Sequence, residues 1–279
     1  MLIDWHTNLA LEEHYGEEEG EYMSRVGGLG RAGTPELHER HVAGVCDKFV
    51  VVTMQFKRLK VHVPNEFTAD YVKRFPGRAK GLACVDPTDV NAPTELERAI
   101  RELGLHGLKI SPVYGGFDPW CEEAGRIYGL CERLGVPLLW HQSGAYASAS
   151  KLEYGNPILL DRIAREFPKL RMIVAHIGQP WSGETVVLLR KHPQIFADLS
   201  ARFHRRWQLY NALMLALDYK VTKQLLFGSD FPLRTPTQAM QEFRALNDWG
   251  ERVTLPTFPP EVIEDIIANR PLELLWPEG

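Results

Sequence analysis

Four short apolar runs in this chain end in residues that can bind an ion or move a proton. His6 and Asn8 close IDWHTN, His141 closes VPLLWHQSG, His176 closes MIVAHIG and Asp230 closes LLFGSDFP. An imidazole or carboxylate at the edge of a packed core costs free energy unless it is hydrogen-bonded or ligates a metal. Imidazole nitrogens with one carboxylate suit zinc, manganese or iron. A lone histidine at such a place is most often a hydrogen-bonded core residue. Four comparable residues at four strand ends are harder to explain one at a time.

The elements that must position them alternate along the chain. Short β-branched runs are expected as strands at 2–5, 48–54, 79–85, 106–110, 136–140, 171–175, 194–198 and 224–227,. Amphipathic helices are expected between them, near 35–43, 66–75, 94–103, 119–134, 157–167, 183–191 and 209–217, with two more near 236–248 and 260–269,. Gly135 stands where the helix before the fifth strand should stop,. Eight strand–helix alternations with continuously apolar strands predict a parallel sheet covered by helices. Eight is the number that closes a (β/α)8 TIM-like barrel, whose active site lies at the carboxyl ends of the strands. An open doubly wound sheet is the weaker alternative, because GGLG at 27–30 follows no strand and lacks dinucleotide-binding spacing,. The reading is one barrel domain over residues 1–279, since no linker or low-complexity segment divides the chain.

Composition narrows the classes. The chain has 279 residues, 44% hydrophobic and 24% charged, with a formal net charge of −4, ordinary values for a globular protein of a size that needs no staples. No basic run with interleaved aromatics marks a nucleic-acid partner; the acidic run Glu17–Glu19 reads as a solvated loop. No apolar stretch approaches the length of a membrane span. Cys46, Cys84, Cys121 and Cys131 include no CxxC pair, so buried thiols are expected. With no secretory signal in view, a cytoplasmic location is the expectation.

These motifs in this order resemble the amidohydrolase superfamily, in its amidohydrolase-related branch (amidohydrolase 2) with the aminocarboxymuconate-semialdehyde decarboxylase, resorcylate-type decarboxylase and pyrone-dicarboxylate lactonase relatives. The resemblance runs from IDWHTN through GLHGLKISP, LLWHQSG, VAHIG and ADLS to LFGSDFP and IIANRPLELL. It implies a metal-dependent hydrolase-type barrel with His6, His141, His176 and Asp230 at a divalent ion. Zinc is the first expectation, manganese the second. The family's first strand carries H-x-H, and here Asn8 replaces the second histidine, a poorer ligand for a borderline ion. Three consequences are open: a weak or water-filled ligand position, replacement by Glu12 or His14 (whose E-x-H spacing occurs in the decarboxylase relatives, although this pair lies beyond the strand), or a site that works without metal.

Lys109 in GLKI is expected in the barrel interior, near substrate or Asp230. Arg202 after ADLS and Arg234 after SDFPL are candidate forks for a substrate carboxylate. Trp140, Trp181 and Phe231 are candidates for the pocket wall, although packing is the commoner use of such aromatics; Trp181 is retained for substrate binding. His192 and His204 are given no role. The first mechanism is metal-assisted hydrolysis of a small carboxylated ester, lactone or amide: Asp230 takes the proton of a water, and His176 or His141 polarises the carbonyl. The second is non-oxidative decarboxylation or hydration on the same scaffold. The third, from another class, is a metal-free binding protein on a degenerate barrel. A small-molecule partner and, by analogy only, a homodimer complete the expectations.

Overall fold

The computed structural model describes residues 1–16, 33–269, 271 and 274–275; the GGLG and acidic runs lie outside them. Eight parallel strands form one sheet in chain order: β1 Ile3–Asn8, β2 Lys48–Val52, β3 Ala79–Cys84, β4 Gly107–Ile110, β5 Leu138–Trp140, β6 Met172–Val174, β7 Ile195–Asp198 and β8 Leu225–Leu226. The β1 edge meets the segment after β8 through Trp5 N–H to Phe227 O, 3.0 Å, Asp230 N–H to His6 O, 2.9 Å, and Asn8 N–H to Phe231 O, 2.8 Å. The chain is thus a nearly closed TIM-type barrel.

Alternation along the strands sorts side chains into two layers. Phe49, Val51, Leu108, Leu138, Met172 and Ile195 face the helices. Ile3, Trp5, Val50, Val52, Leu82, Leu139, Ile173 and Leu226 fill the interior. Between Leu108 and Ile110, which pack outward, Lys109 points inward. The helices that cover the sheet show ordinary end chemistry. The helix Glu122–Leu134 has Glu122 and Glu123 in its first turn and Arg133 in its last, matching the macrodipole, and Gly135 ends it at φ +69°,.

Several elements differ from the sequence expectation. β2 stops at Val52, and the chain continues into a small hairpin, Gln55–Phe56 with Val61–His62, whose two-residue strands are too short to show a period. The helix expected over 236–248 is two, Pro236–Arg244 and Leu246–Arg252, parted at Ala245. Residues 39–43 wind as a π-turn after Pro35–His38. Cys46, Cys84 and Cys131 are buried, as expected, while Cys121 is half-buried. No helix among the described residues is long and apolar enough to cross a membrane.

Candidate active site

β1 carries an irregularity that aims its polar end. The register with β2 shifts between Asp4 and Thr7, as in a bulge that accommodates one extra residue and redirects a side chain. Trp5 thereby fills the barrel interior while His6, next in sequence, reaches the cavity above it. The buried Asp4 carboxylate accepts from the His6 N–H at 3.2 Å and from the Ser229 N–H at 2.9 Å, so the redirected amide is not orphaned. Burial pushes the Asp4 carboxyl up to about 7, against the bonds from Ser229 and His6. At Gly228 an added Cβ would come within 3.0 Å of His6 Cβ and 3.2 Å of Ser200 Cβ. The glycine of LFGSD therefore lets the end of β8 approach β1.

The four residues singled out at the strand ends converge. His6 and His176 stack with ring centroids 5.1 Å apart, and His141 meets His176 edge-on at 5.0 Å. Asp230 Oδ1 lies 3.7 Å from His6 Nε2. All four line one cavity of about 490 Å³ at the carboxyl ends of the strands, within the usual range for a small-molecule site. His176, Ile177, Ala201 and Asp230 hold left-handed backbone at φ +58°, +47°, +58° and +58°. Such strain persists where surrounding structure fixes it, and it clusters at functional sites.

Asp198, at the end of β7, is the centre the sequence reading missed. It is fully buried; Oδ2 accepts from His6 Nδ1 at 2.9 Å, and Oδ1 from the N–H groups of His176 and Ser200 and from the Ser200 hydroxyl. Burial alone would raise its carboxyl. The His6 imidazole and the bonds from His6, Ser200 and His176 outweigh that and hold it below the ordinary carboxylate range,. Lys109 Nζ stands 3.3 Å from His6 Nε2. An ammonium has only donors, so Nε2 accepts and the His6 proton rests on Nδ1, toward Asp198. Burial lowers the Lys109 ammonium to about 8, with Asp198 and Asp230 drawing it back up.

His176 Nδ1 lies 3.2 Å from Ser200 O and 2.8 Å from Ser200 Oγ. A carbonyl only accepts, so this nitrogen carries the proton and Nε2 is left a lone pair. Burial, with His141, His6, Arg202 and Lys109 nearby, holds His176 well below its ordinary range, and burial does the same for His141. A neutral ring protonated on Nδ1 presents an acceptor at Nε2,.

Other expected residues divide. Arg202 lines the cavity; it is 9% exposed, its Nη1 donates to Gln208 Oε1 at 3.3 Å and it is hydrogen-bonded to Tyr146. Its buried Nε has no partner among the described residues. Arg234 does not line the cavity, because Glu242 at 3.1 Å and the Leu233 carbonyl hold its guanidinium. Nor does Trp181, whose ring lies against Gly155. Trp140 and Phe231 are fully buried packing residues. Glu12 and His14 form a short 3-10 turn, and His14 Nδ1 accepts from Leu11 N–H while its ring meets Phe67 edge-on, away from the cavity. The wall instead includes Tyr15, Phe56, Tyr114, Tyr146, His204 and Arg205, supplied by loops, the two-residue strand Gln55–Phe56 and the single helical turn Pro112–Gly115, all too short to carry a periodic signal.

The sequence model of the family described as Amidohydrolase (Amidohydro_2) matches residues 3–275. This chain belongs to that amidohydrolase family. Among solved structures, a 5-carboxyvanillate decarboxylase from Sphingomonas paucimobilis aligns at TM-score 0.68 and 16% identity over 98% of each chain. A probable 2-pyrone-4,6-dicarboxylic acid hydrolase from Acinetobacter baumannii aligns at TM-score 0.65 and 18% identity, over 96% of this chain and 99% of that one. A dihydroxybenzoic acid decarboxylase from Polaromonas sp. JS666, with bound manganese, aligns at 0.62 and 16% over 98% and 96%. At these identities the likeness is one of fold. A curated dihydroorotase from Helicobacter hepaticus is 32% identical over 114 residues, 38% of this chain and 32% of that protein; the match spans about a third of the relative's length.

Family neighbours thus include a protein with a divalent ion, and His6, His176 and Asp198 offer ligand atoms within 4.8 Å of one another, a candidate His/Asp ion site by spacing. Its surroundings argue otherwise. The outward lone pair of His6, the one its Nδ1–H bond to Asp198 leaves for an ion, is met instead by the Lys109 ammonium,. Asn8 turns its Nδ2 to Asp230 Oδ1 at 2.8 Å and Phe231 O at 3.0 Å. Both partners are acceptors, which fixes the amide's orientation, so Asn8 donates where the resemblance implies a ligand. As arranged, these residues do not fit an ion.

Proposed function

We propose that this amidohydrolase hydrolyses a small carboxylated cyclic ester, lactone or amide, with Asp230 as the proton-transferring group. The observation that carries the reading is the setting of Asp230. Its carboxylate lines the cavity, and the Asn8 amide facing it donates. A carboxylate so surrounded enters the reaction as an acceptor of a proton. Water adds to the substrate carbonyl as its proton passes to Asp230; that proton then goes to the departing oxygen or nitrogen as the carbonyl–heteroatom bond breaks. The His176 Nε2 lone pair is placed to orient the water. Arg202, backed by Tyr146 and with its Nε unpaired, takes the substrate's own carboxylate,.

The test is Asp230→Asn against a panel of carboxylated lactones, cyclic esters and cyclic amides. Turnover is expected to fall about 10²–10⁴-fold with the circular dichroism spectrum kept; unchanged turnover overturns the role. A second reading is non-oxidative decarboxylation, favoured by the aromatic wall of Phe56, Tyr114 and Tyr146 and by the activities named for two of the structural neighbours. Release of CO2 from hydroxybenzoates, without ring opening of any lactone, selects it over hydrolysis.

A further inference from the structure

The resemblance to the amidohydrolases implies a divalent ion gathered by two strand-one histidines and a strand-eight carboxylate. Here an ammonium stands among the corresponding groups. Lys109 Nζ lies 3.3 Å from His6 Nε2, which is itself 3.7 Å from Asp230 Oδ1. Lys109 is 3% exposed and feels the charges of both Asp198 and Asp230. We propose that Lys109 is the resident cation of this site and stands in the place of the ion, so that this chain does not retain zinc or manganese there.

Three observations converge on it. The lone pair that His6 would give a metal is already directed at Lys109. Asn8 offers Asp230 an N–H rather than offering an ion a lone pair. Lys109 also already faces both Asp198 and Asp230, and Arg202 faces Asp230. A divalent ion beside a buried ammonium would add uncompensated positive charge to a dry floor, which is costly. The ammonium carries three donors and lines the cavity, so an N–H beyond the one aimed at His6 can meet an oxygen of the bound molecule. This inference stands whether the reaction is hydrolysis or decarboxylation, because its readout is metal content rather than turnover.

The experiment is to purify the full chain without chelator, saturate it separately with Zn²⁺ and Mn²⁺, dialyse, and measure bound metal by mass spectrometry alongside thermal melting. Wild-type protein is expected to retain far less than one equivalent, with a melting temperature that neither ion moves. The Lys109→Met/Asn8→His double variant, which removes the ammonium and restores an imidazole, is expected to retain about one equivalent and to melt higher with the ion. Asn8→His alone, with the ammonium left in place, is expected to retain little. One equivalent on the wild type overturns the proposal, as does a folded double variant that takes up no ion. Should the double variant fail to fold, anomalous scattering from wild-type crystals soaked in Mn²⁺ decides: a peak between His6 and Asp230 overturns the proposal, and a featureless floor with Lys109 in place supports it.

Discussion

At the floor of the cavity, His6, Lys109, Asp198 and Ser200 are 1%, 3%, 0% and 0% exposed and bonded to one another. At the rim, Tyr146 is 59% exposed, and Arg202 keeps a buried nitrogen without a partner among the described residues. The floor is made by strand ends and leaves few polar atoms unspent. The rim is made by loops, one helical turn and a hairpin, and Arg202 there keeps a contact in reserve. The difference separates two kinds of work: the floor fixes which atom carries a proton, and the rim fixes which molecule is held. Mutations in the two regions should therefore fail in different ways, one in kcat and the other in KM.

The sharpest break of that contrast is expected from Asp198→Asn. The amide cannot accept from His6 Nδ1, the Ser200 hydroxyl and two backbone N–H groups as the carboxylate does. His6 then loses the partner that sets its tautomer. A carboxylate that sets an imidazole's tautomer is worth up to about 10⁴-fold in kcat, and the loss should appear in kcat with KM near wild type. A variant that instead melts early and loses kcat only in proportion to its unfolded fraction would reduce Asp198 to a structural role.

At the rim, Arg202→Met is expected to do the reverse. A hydrogen bond to a charged group contributes about 1.5–3 kcal/mol, so KM for a carboxylated substrate should rise about tenfold or more while kcat changes little. The corresponding substrate lacking the carboxylate should be indifferent to the change. Equal losses on both substrates would mean that Arg202 does not read the carboxylate.

The floor was far more legible in the sequence than the rim, for a physical reason. A polar residue that ends an apolar strand stands out against its own neighbours, and the barrel topology brings all such ends to one mouth; His6, His141, His176 and Asp230 were found that way. Asp198 ends β7 in the same manner, in QIFADLS, but its sequence does not show that the carboxylate turns inward to His6 and His176. The replacement at Asn8 was visible, but not the donor direction of its amide, which depends on Asp230 and Phe231 arriving from 222 and 223 positions away. Rim residues lie in loops and very short elements where neither period nor spacing reports direction. Arg234 and Trp181 were chosen by proximity to motifs, and Glu242 and Gly155 take them up. His204, given no role, does line the cavity; burial, with Arg234, Arg202 and Arg205 nearby, brings it down to about 4.

The floor is also backed by a buried histidine, which sharpens the contrast by acid. His38 is fully buried behind β1, with Nε2 2.9 Å from Thr7 Oγ1 and Nδ1 2.8 Å from the Tyr71 hydroxyl. Burial brings it from its ordinary 6.5 down to about 3. Between those two values the unfolded chain binds a proton that the folded chain refuses, so stability falls as pH drops through that window and is fully present above it. The contribution is at most about 1.4 kcal/mol for each pH unit, a small effect beside the changes in turnover. Wild type should therefore lose melting temperature faster than His38→Gln between pH 7 and pH 4, and the advantage of the wild type at neutral pH should shrink. Parallel melting curves across that range would mean that the buried imidazole titrates normally and that the Thr7–His38–Tyr71 chain does not support the floor as drawn.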